Sequence, residues 1–239
     1  MSDDVALTGR TALVTGASRG IGRSIVEALA GAGARVWCLA RTAGDIRALA
    51  AEVGGEAVIC DLTDDAAVWE ALDGMMETIG GAPDIVVNSA GVFGIASLAT
   101  ETVLSFDLAL AVNLRATFLV NRAVLPPMLE RGSGLIVNVG SVAGRRALRG
   151  NAAYSASKFG VRGYHGVLLE ELRGTGVRAT LLEPSATDTA LWDPLDPDAD
   201  PSLPDRSEML TPSDVAAAVL FLATRPGTVR IPLLQIERA

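Results

Sequence analysis

Short apolar runs alternate with longer amphipathic stretches, and this alternation constrains the fold more than any other feature of the sequence. The runs lie at residues 11–15, 35–39, 57–60, 84–88, 135–139 and 178–183, and a further apolar segment closes the chain at 229–236. This pattern is typical of a parallel sheet with helices on both faces, and right-handed crossovers make such a sheet doubly wound. We predict an α/β fold of about seven strands, in a single domain over residues 1–239.

Helices are predicted between most of these strands. They span residues 21–32, about 63–78, about 102–129, 152–173 and 211–223. Thr63 is the predicted N-cap of the second helix, Pro126 and Pro127 are expected to end or kink the third, and Thr211 with Pro212 opens the last. Residues 193–212 are rich in Pro and Asp without a clear period, so we predict an irregular excursion there, with a substrate lid at about 189–212.

The charge and composition exclude several functions. The formal net charge is −8 over 239 residues, which repels nucleic acid and anionic membranes on average. The start of the chain lacks a signal-peptide pattern and no run of 18 apolar residues occurs, so a cytoplasmic location without a membrane segment is expected. Cys38 and Cys60 fit either a disulfide or small core residues, and the core is favoured; with one histidine they provide no metal site.

A glycine-rich turn follows the first strand directly, in the segment TGASRGIG. Its glycines are Gly16, Gly20 and Gly22, with Ser18, Arg19 and Ile21 between them. Glycines let the backbone turn tightly and approach a pyrophosphate, which then meets the free N–H groups and positive dipole of the next helix. Such a turn alone is also compatible with an ordinary strand-to-helix connection. In this context it predicts a dinucleotide site at the carboxyl ends of the strands.

The residues after the second strand indicate NADP(H) as the dinucleotide. An acidic residue there binds the ribose 2′-hydroxyl of NAD, whereas arginine accommodates the 2′-phosphate of NADP. This strand ends in Ala40 followed by Arg41, and Arg19 lies in the glycine turn. Two guanidinium groups can hold a dianionic phosphate through charge-assisted bonds. The alternative is that both are solvated surface arginines, among the 19 in the chain.

Tyr154 and Lys158 stand four residues apart in a predicted helix. Residues at this spacing share a helix face, so a phenol and an ammonium project into the same volume, and the adjacent cation is expected to lower the Tyr154 pKa. Lys158 is the only lysine in the chain, which favours a position that needs a compact ammonium over a chance surface lysine. The pair predicts a tuned general acid and base.

Together these motifs resemble the short-chain dehydrogenase/reductase family over residues 7–223, because TGxxxGIG and YxxxK are both matched. The resemblance implies a Rossmann-type fold and assigns four catalytic positions. Tyr154 would protonate the carbonyl oxygen and Ser141 would polarise it, while Lys158 would lower the Tyr pKa and hold the nicotinamide ribose. Asn113 would anchor a proton-relay water; a polar residue that kinks the helix, with its side chain satisfied locally, is the alternative for Asn113.

The resemblance also implies further cofactor contacts. Asp61 and Leu62 match the adenine-binding pair of the family, and Asn88-Ser89-Ala90-Gly91 matches its NNAG motif with Ser89 in place of the second Asn. The segment after the sixth strand resembles PGxxxT with Ser185 in place of Gly, a substitution that would be strained at positive φ. The cofactor residues implied by these matches are Asp61, Leu62, Asn88, Ala90, Gly91, Tyr154, Lys158, Pro184, Thr187 and Thr189.

Other residues have less specific readings. His165 fits core or subunit-interface packing better than catalysis, and Trp192 fits lid packing or the substrate pocket equally. Arg145, Arg146 and Arg149 fit either a carboxylate site or surface solvation, which is the more common role.

The predicted function is an NADPH-dependent reductase of a small ketone, acting in reverse on a secondary alcohol. A non-catalytic NADP-binding protein and an epimerase or dehydratase of the same fold are the alternatives. The family resemblance further implies a homodimer or homotetramer built on the two longest helices.

Overall fold

Seven parallel strands form one sheet in the computed structural model, which describes residues 6–239; the acidic start of the chain lies outside the described residues. The spatial order is β3-β2-β1-β4-β5-β6-β7. Strands β2 and β3 are therefore added on one side of β1, and β4 to β7 on its other side. This confirms the predicted doubly wound α/β fold. The strands are β1 (Thr11–Thr15), β2 (Arg35–Ala40), β3 (Glu56–Ile59), β4 (Ile85–Asn88), β5 (Gly134–Val139), β6 (Val177–Pro184) and β7 (Leu233–Ile236).

The helices cover both faces of this sheet. They are α1 (Gly20–Gly31), α2 (Ala43–Val53), α3 (Asp65–Ile79), α4 (Val103–Ala109), α5 (Ala116–Arg131), α6 (Ala152–Glu171) and α7 (Pro212–Ala223). Helix α2 was not predicted from the sequence, although its signals are present. Ile46, Leu49 and Ala50 are buried at helical spacing, and Gly54 ends the helix in the left-handed conformation.

Two helix starts test the predicted caps. Thr63 does not cap α3, because Asp64 accepts the hydrogen bonds of the N–H groups of Ala66 and Ala67, while Thr63 itself donates to Asp61. Aspartate competes well for this position because its charge also suits the helix dipole. For α7 the prediction is confirmed: Thr211 forms a capping box with Asp214, and Pro212 follows at the first helical position.

Residue alternation along the strands divides the core into two halves. On β1, Ala12 and Val14 pack with α1 and α7 on one face, whereas Leu13 packs with residues of α3 and α5 on the other. Successive strand side chains point to opposite faces, so a strand buried on both sides reads as a continuous apolar run. This explains why the strands were predictable from short apolar runs.

The helical run Val103–Arg131 contains α4, a π-helical segment (Leu110–Arg115) and α5. By length and hydropathy alone this run would be long enough to cross a membrane. One third of the apolar window in this run is buried, including Leu119, Val120 and Val124 against the sheet, and one helix of this kind is weak evidence for a membrane span. Pro126 and Pro127 lie inside α5, so they do not end this helix, and the predicted alternative of a kink stays a prediction.

Candidate active site

A cleft of about 1240 Å³ lies over the carboxyl ends of the strands. It is formed by the loops that follow β1 to β6, as expected where the strand order reverses. All but two of the site residues predicted from the sequence line this cleft; Asn88 and Asn113 do not. The predicted residues that line it are Gly16, Ser18, Arg19, Gly20, Ile21, Gly22, Arg41, Asp61, Leu62, Ala90, Gly91, Ser141, Tyr154, Lys158, Pro184, Thr187 and Thr189.

The turn before α1 requires glycine at two positions. Gly16 has φ +67°, and a Cβ there would lie 2.6 Å from the Cα of Ala90, while a Cβ at Gly22 would lie 2.3 Å from the carbonyl oxygen of Gly16. No side chain caps α1, and its first turn contains no acidic residue. The first N–H groups of this helix are therefore available to an anion in the cleft, which is the geometry that a pyrophosphate needs.

Arg19, within this turn, and Arg41, directly after β2, are both exposed and both line the cleft. Asp61 follows β3 nearby, and hydrogen bonds from the N–H and hydroxyl of Thr63 hold the pKa of its carboxyl below the usual value, with a smaller contribution from the charge of Arg41. Asp45 also lines this end of the cleft. The two guanidinium groups thus face a site that also contains two carboxylates.

Asn88 occupies a different place from the one predicted. It is buried at the end of β4, where its side-chain amide donates to the Oδ1 atoms of Asn121 (2.7 Å) and Asn138 (2.9 Å). Asn138 in turn bonds Nδ1 of His165. The side chain of Asn88 therefore ties β4, α5 and β5 together behind the cleft, while the next residues, Ser89 to Gly91, form the cleft wall. The Asn88 side chain therefore does not line the cleft, and a contact between this residue and a cofactor stays a prediction.

Tyr154 and Lys158 lie in the first two turns of α6, one helical turn apart as predicted. The Lys158 ammonium donates to the carbonyl oxygen of Val139 at 2.8 Å and lies 5.7 Å from the centroid of the Tyr154 ring. Ser141 follows β5, and its hydroxyl accepts from the N–H of Ala143. Strand β5 and helix α6 thus bring the three predicted catalytic groups to one wall of the cleft.

The pKa of Tyr154 departs from the predicted direction. Burial of the phenol raises this pKa, and a hydrogen bond with Ser141 lowers it in part. Desolvation is the larger effect, and the Lys158 ammonium donates its hydrogen bond to the carbonyl oxygen of Val139. Burial also lowers the pKa of Lys158 to about 8. The cleft therefore holds a neutral phenol beside an ammonium whose proton is unusually easy to remove.

The depressed pKa of Lys158 predicts a pH dependence of stability. The unfolded lysine keeps its proton up to about pH 10.5, so between pH 8 and that value the unfolded chain binds more protons and stability rises with pH. Cys38 and Cys60, with pKa values raised to about 11 by burial, act in the opposite direction above pH 9. Between pH 8 and 9 we expect Lys158→Met to flatten the rise in unfolding free energy by about 1 kcal/mol per pH unit. Urea unfolding of the wild type and the variant at several pH values measures this slope. Equal slopes of unfolding free energy against pH in the two proteins would contradict the prediction.

Asn113 is buried in the π-helical segment, behind Gly91. Its amide donates to the carbonyl oxygen of Val92 (3.0 Å) and to Oγ of Ser157 (2.9 Å), and its Oδ1 accepts from the N–H of Val92 (2.8 Å). These partners are remote in sequence, so the side chain is not satisfied locally. The Asn113 side chain joins the loop after β4 to α6, the helix that carries Tyr154. The proposed role in a proton relay stays a prediction.

The loop after β6 lines the same cleft as Ser141, Tyr154 and Lys158. Among the described residues outside glycine, positive φ occurs only at Asp196, so Ser185 is unstrained in place of the family's glycine. Thr187 is buried and donates to the carbonyl oxygen of Ser185, and its own carbonyl accepts from the indole of Trp192 at 3.1 Å. The methyl of Thr189 lies near Gly20. This loop thus lies between the wall that carries Tyr154 and the glycine turn.

No sequence motif predicted the positions of Glu183, which precedes the cleft residue Pro184, and Phe93, which lines the cleft. Glu183 is almost fully buried at the end of β6 and pairs with Arg162 (2.5 Å) and Arg145 (3.6 Å), while Gln235 donates to it at 2.9 Å. A carboxylate inside an apolar strand end is itself a signal that a cationic partner must exist. Arg145 thereby acquires a structural role. Phe93 contacts the Tyr154 ring and had no recognisable motif.

The remaining candidates take structural positions. His165 is buried and bonds Asn138 and the carbonyl oxygen of Pro232, and burial lowers its pKa to about 4. Cys38 and Cys60 are both free and buried. Trp192 lines the cleft. Within residues 6–239, no group of His, Cys, Asp or Glu side chains has the arrangement of a metal site.

Comparisons with known proteins agree with this geometry. A family model described as short chain dehydrogenase matches residues 10–200. A D-threitol dehydrogenase of Mycolicibacterium smegmatis is 41% identical over 92% of this chain and 88% of its own length. A metagenomic short-chain oxidoreductase solved with NADP superposes with a TM-score of 0.83 at 34% identity, covering 98% of this chain and 99% of that one. A putative NAD(P)-dependent gluconate 5-dehydrogenase from Beutenbergia cavernae, with bound NADP, gives 0.88 at 32%, covering 98% and 97%.

Proposed function

This chain belongs to the short-chain dehydrogenase family, and from that premise we propose that it transfers a hydride between NADP(H) and a small ketone or secondary alcohol. The observation that carries the proposal is the wall formed by Ser141, Tyr154 and Lys158 beside a glycine turn with an uncapped helix behind it. Oxidoreductase chemistry on alcohol and carbonyl groups follows from the family. The cofactor preference and the catalytic roles are the proposed part.

The described residues fit a dinucleotide with a 2′-phosphate. The N–H groups at the start of α1 would hold the pyrophosphate, Arg19 and Arg41 the 2′-phosphate, and the loop from Pro184 to Thr189 the nicotinamide end. The structural relatives named above were solved with NADP, which supports the same choice here. When bound, NADPH supplies the hydride that reduces the carbonyl carbon.

The chain's own groups orient the substrate and move the proton. The Ser141 hydroxyl donates a hydrogen bond to the carbonyl oxygen, and the Tyr154 hydroxyl delivers a proton to that oxygen as the alcohol forms. A neutral phenol, favoured by burial, is the required starting form for reduction. Lys158, with its pKa of about 8, replaces the proton lost from Tyr154 and gives up its own more readily than an ordinary lysine.

Consumption of NADPH in the presence of a ketone panel tests the function. We expect oxidation of NADPH that requires the ketone and yields an equimolar alcohol. The panel includes erythrulose and oxidised gluconate, because they are the ketones that correspond to D-threitol and gluconate, for which two relatives are named. Binding of NADPH without turnover of any ketone or alcohol would favour the non-catalytic alternative. Isomerisation or dehydration without net NADPH loss would favour the epimerase or dehydratase.

Assembly as a homodimer or homotetramer is proposed through the long helices. Apolar side chains stay exposed on them, including Leu104 (81%), Phe118, Phe159 and Val167 (58%). Exposed apolar surface of this kind is typical of an interface between subunits. Light scattering should give two or four times the 24.7 kDa chain mass, and a monomer would contradict the proposal.

A further inference from the structure

Three segments that are separate in sequence line the part of the cleft beyond Tyr154. The loop after β4, the loop before α6 and the lid each contribute large apolar side chains. They are Phe93, Ile95, Leu148, Leu191, Trp192 and Leu203. A substrate that presents its carbonyl to Ser141 and Tyr154 therefore places its remaining atoms among hydrocarbon groups.

Aromatic rings connect two of these walls. The Phe93 ring lies 4.9 Å from the Tyr154 ring in an edge-on arrangement and 4.8 Å from the Trp192 ring. The Trp192 indole N–H is already bonded to the carbonyl oxygen of Thr187, which fixes this ring and removes its one polar group from the cleft. What faces the substrate is thus the apolar part of two aromatic side chains.

Three polar side chains of this region bond other groups of the protein, while the charged residue Arg149 also lines the cleft. Ser97 bonds the hydroxyl of Thr100 at 2.9 Å, Ser202 donates to Asp200 at 2.7 Å, and the Asn151 amide donates to the carbonyl oxygen of Arg149. These groups already have a partner, so a substrate hydroxyl gains less from them than an apolar group gains from the hydrocarbon side chains. An unpaired buried polar group is unfavourable, whereas apolar contact is favourable.

Resting on the proposed function, we propose that the substrate carries an apolar or aromatic substituent beside its carbonyl, and that this substituent packs against Phe93 and Trp192. This departs from the polyhydroxylated compounds in the names of the relatives. The substrate class is a ketone of low polarity, reduced to a secondary alcohol at the expense of NADPH, with the hydride added to carbon and the proton to oxygen.

A matched substrate series tests the proposal on the intact protein. Butanone and erythrulose share a four-carbon chain and differ in three hydroxyl groups, and acetophenone adds an aromatic ring. We expect kcat/KM for butanone to exceed that for erythrulose about tenfold or more, and acetophenone to exceed erythrulose about 100-fold. If erythrulose is the better substrate, the proposal is overturned while the proposed function stands. If no ketone is reduced, the proposed function itself fails.

Variants of Trp192 test the proposal independently through KM for each ketone. Trp192→Ala should raise KM for acetophenone about tenfold and change KM for butanone little. Trp192→Phe should keep KM for acetophenone close to the wild-type value. Phe221→Ala, which truncates an aromatic ring on α7 outside the cleft, is the matched control and should leave both values unchanged. An acetophenone KM unaffected by Trp192→Ala, in a variant with wild-type melting behaviour, would overturn the proposal.

Discussion

Tyr154→Phe is expected to lower kcat for ketone reduction by about 10²- to 10⁴-fold, the range that general acid catalysis contributes. The phenol oxygen is the group proposed to protonate the carbonyl, and phenylalanine keeps the ring that packs against Phe93. The loss should therefore appear in kcat, while KM for NADPH and the melting temperature stay close to those of the wild type. Steady-state kinetics, NADPH fluorescence titration and thermal unfolding measure these three quantities.

Tyr164→Phe provides the matched control, because Tyr164 is the other tyrosine of the chain and lies on the same helix. Its ring packs against Phe118, away from the cleft. This variant should keep its turnover, apart from a small loss of stability where the Tyr164 hydroxyl bonds Asn121. Undiminished turnover in Tyr154→Phe would refute the catalytic assignment, since the remaining groups would then be sufficient for proton transfer.

Local patterns made the sheet and the glycine turn predictable, whereas long-range contacts decided what was missed. The strands are buried on both faces, so each appears as a short apolar run, and the predicted cofactor turn depends on glycines close together in sequence. The position of Asn88 could not be read in this way. Whether a side chain at a strand end faces the cleft or the interior depends on its neighbours, here Asn121 and Asn138.

Glu183 shows the same limit for the electrostatics of the site. Its partners Arg162 and Gln235 lie 21 and 52 residues away, and no local motif joins them. The pKa of Tyr154 was also predicted in the wrong direction, because the spacing of Tyr154 and Lys158 on a helix gives proximity but not burial or the bond from Lys158 to Val139. Sequence spacing therefore predicted which side chains share one wall of the cleft, but not the direction of the Tyr154 pKa shift.

Replacing both Arg19 and Arg41 by alanine is expected to abolish the preference for NADPH over NADH. A hydrogen bond to a charged group contributes about 1.5–3 kcal/mol, so each arginine should account for about 10- to 100-fold in the ratio of kcat/KM for the two cofactors. Asp45 and Asp61 line the same end of the cleft. Without the two guanidinium groups these carboxylates would repel the 2′-phosphate, while the ribose hydroxyl of NADH would be tolerated.

Arg47→Ala separates this effect from a general loss of positive charge. Arg47 is exposed on α2, six residues after Arg41, and does not line the cleft, so its removal should leave the cofactor ratio unchanged. Salt gives a further test, because exposed ion pairs are screened: KM for NADPH should rise with ionic strength in the wild type and much less in the double variant. A ratio that survives loss of both arginines would show that they are solvated surface residues. The 2′-phosphate would then have to be recognised by backbone N–H groups at the start of α1, which the pyrophosphate is expected to occupy.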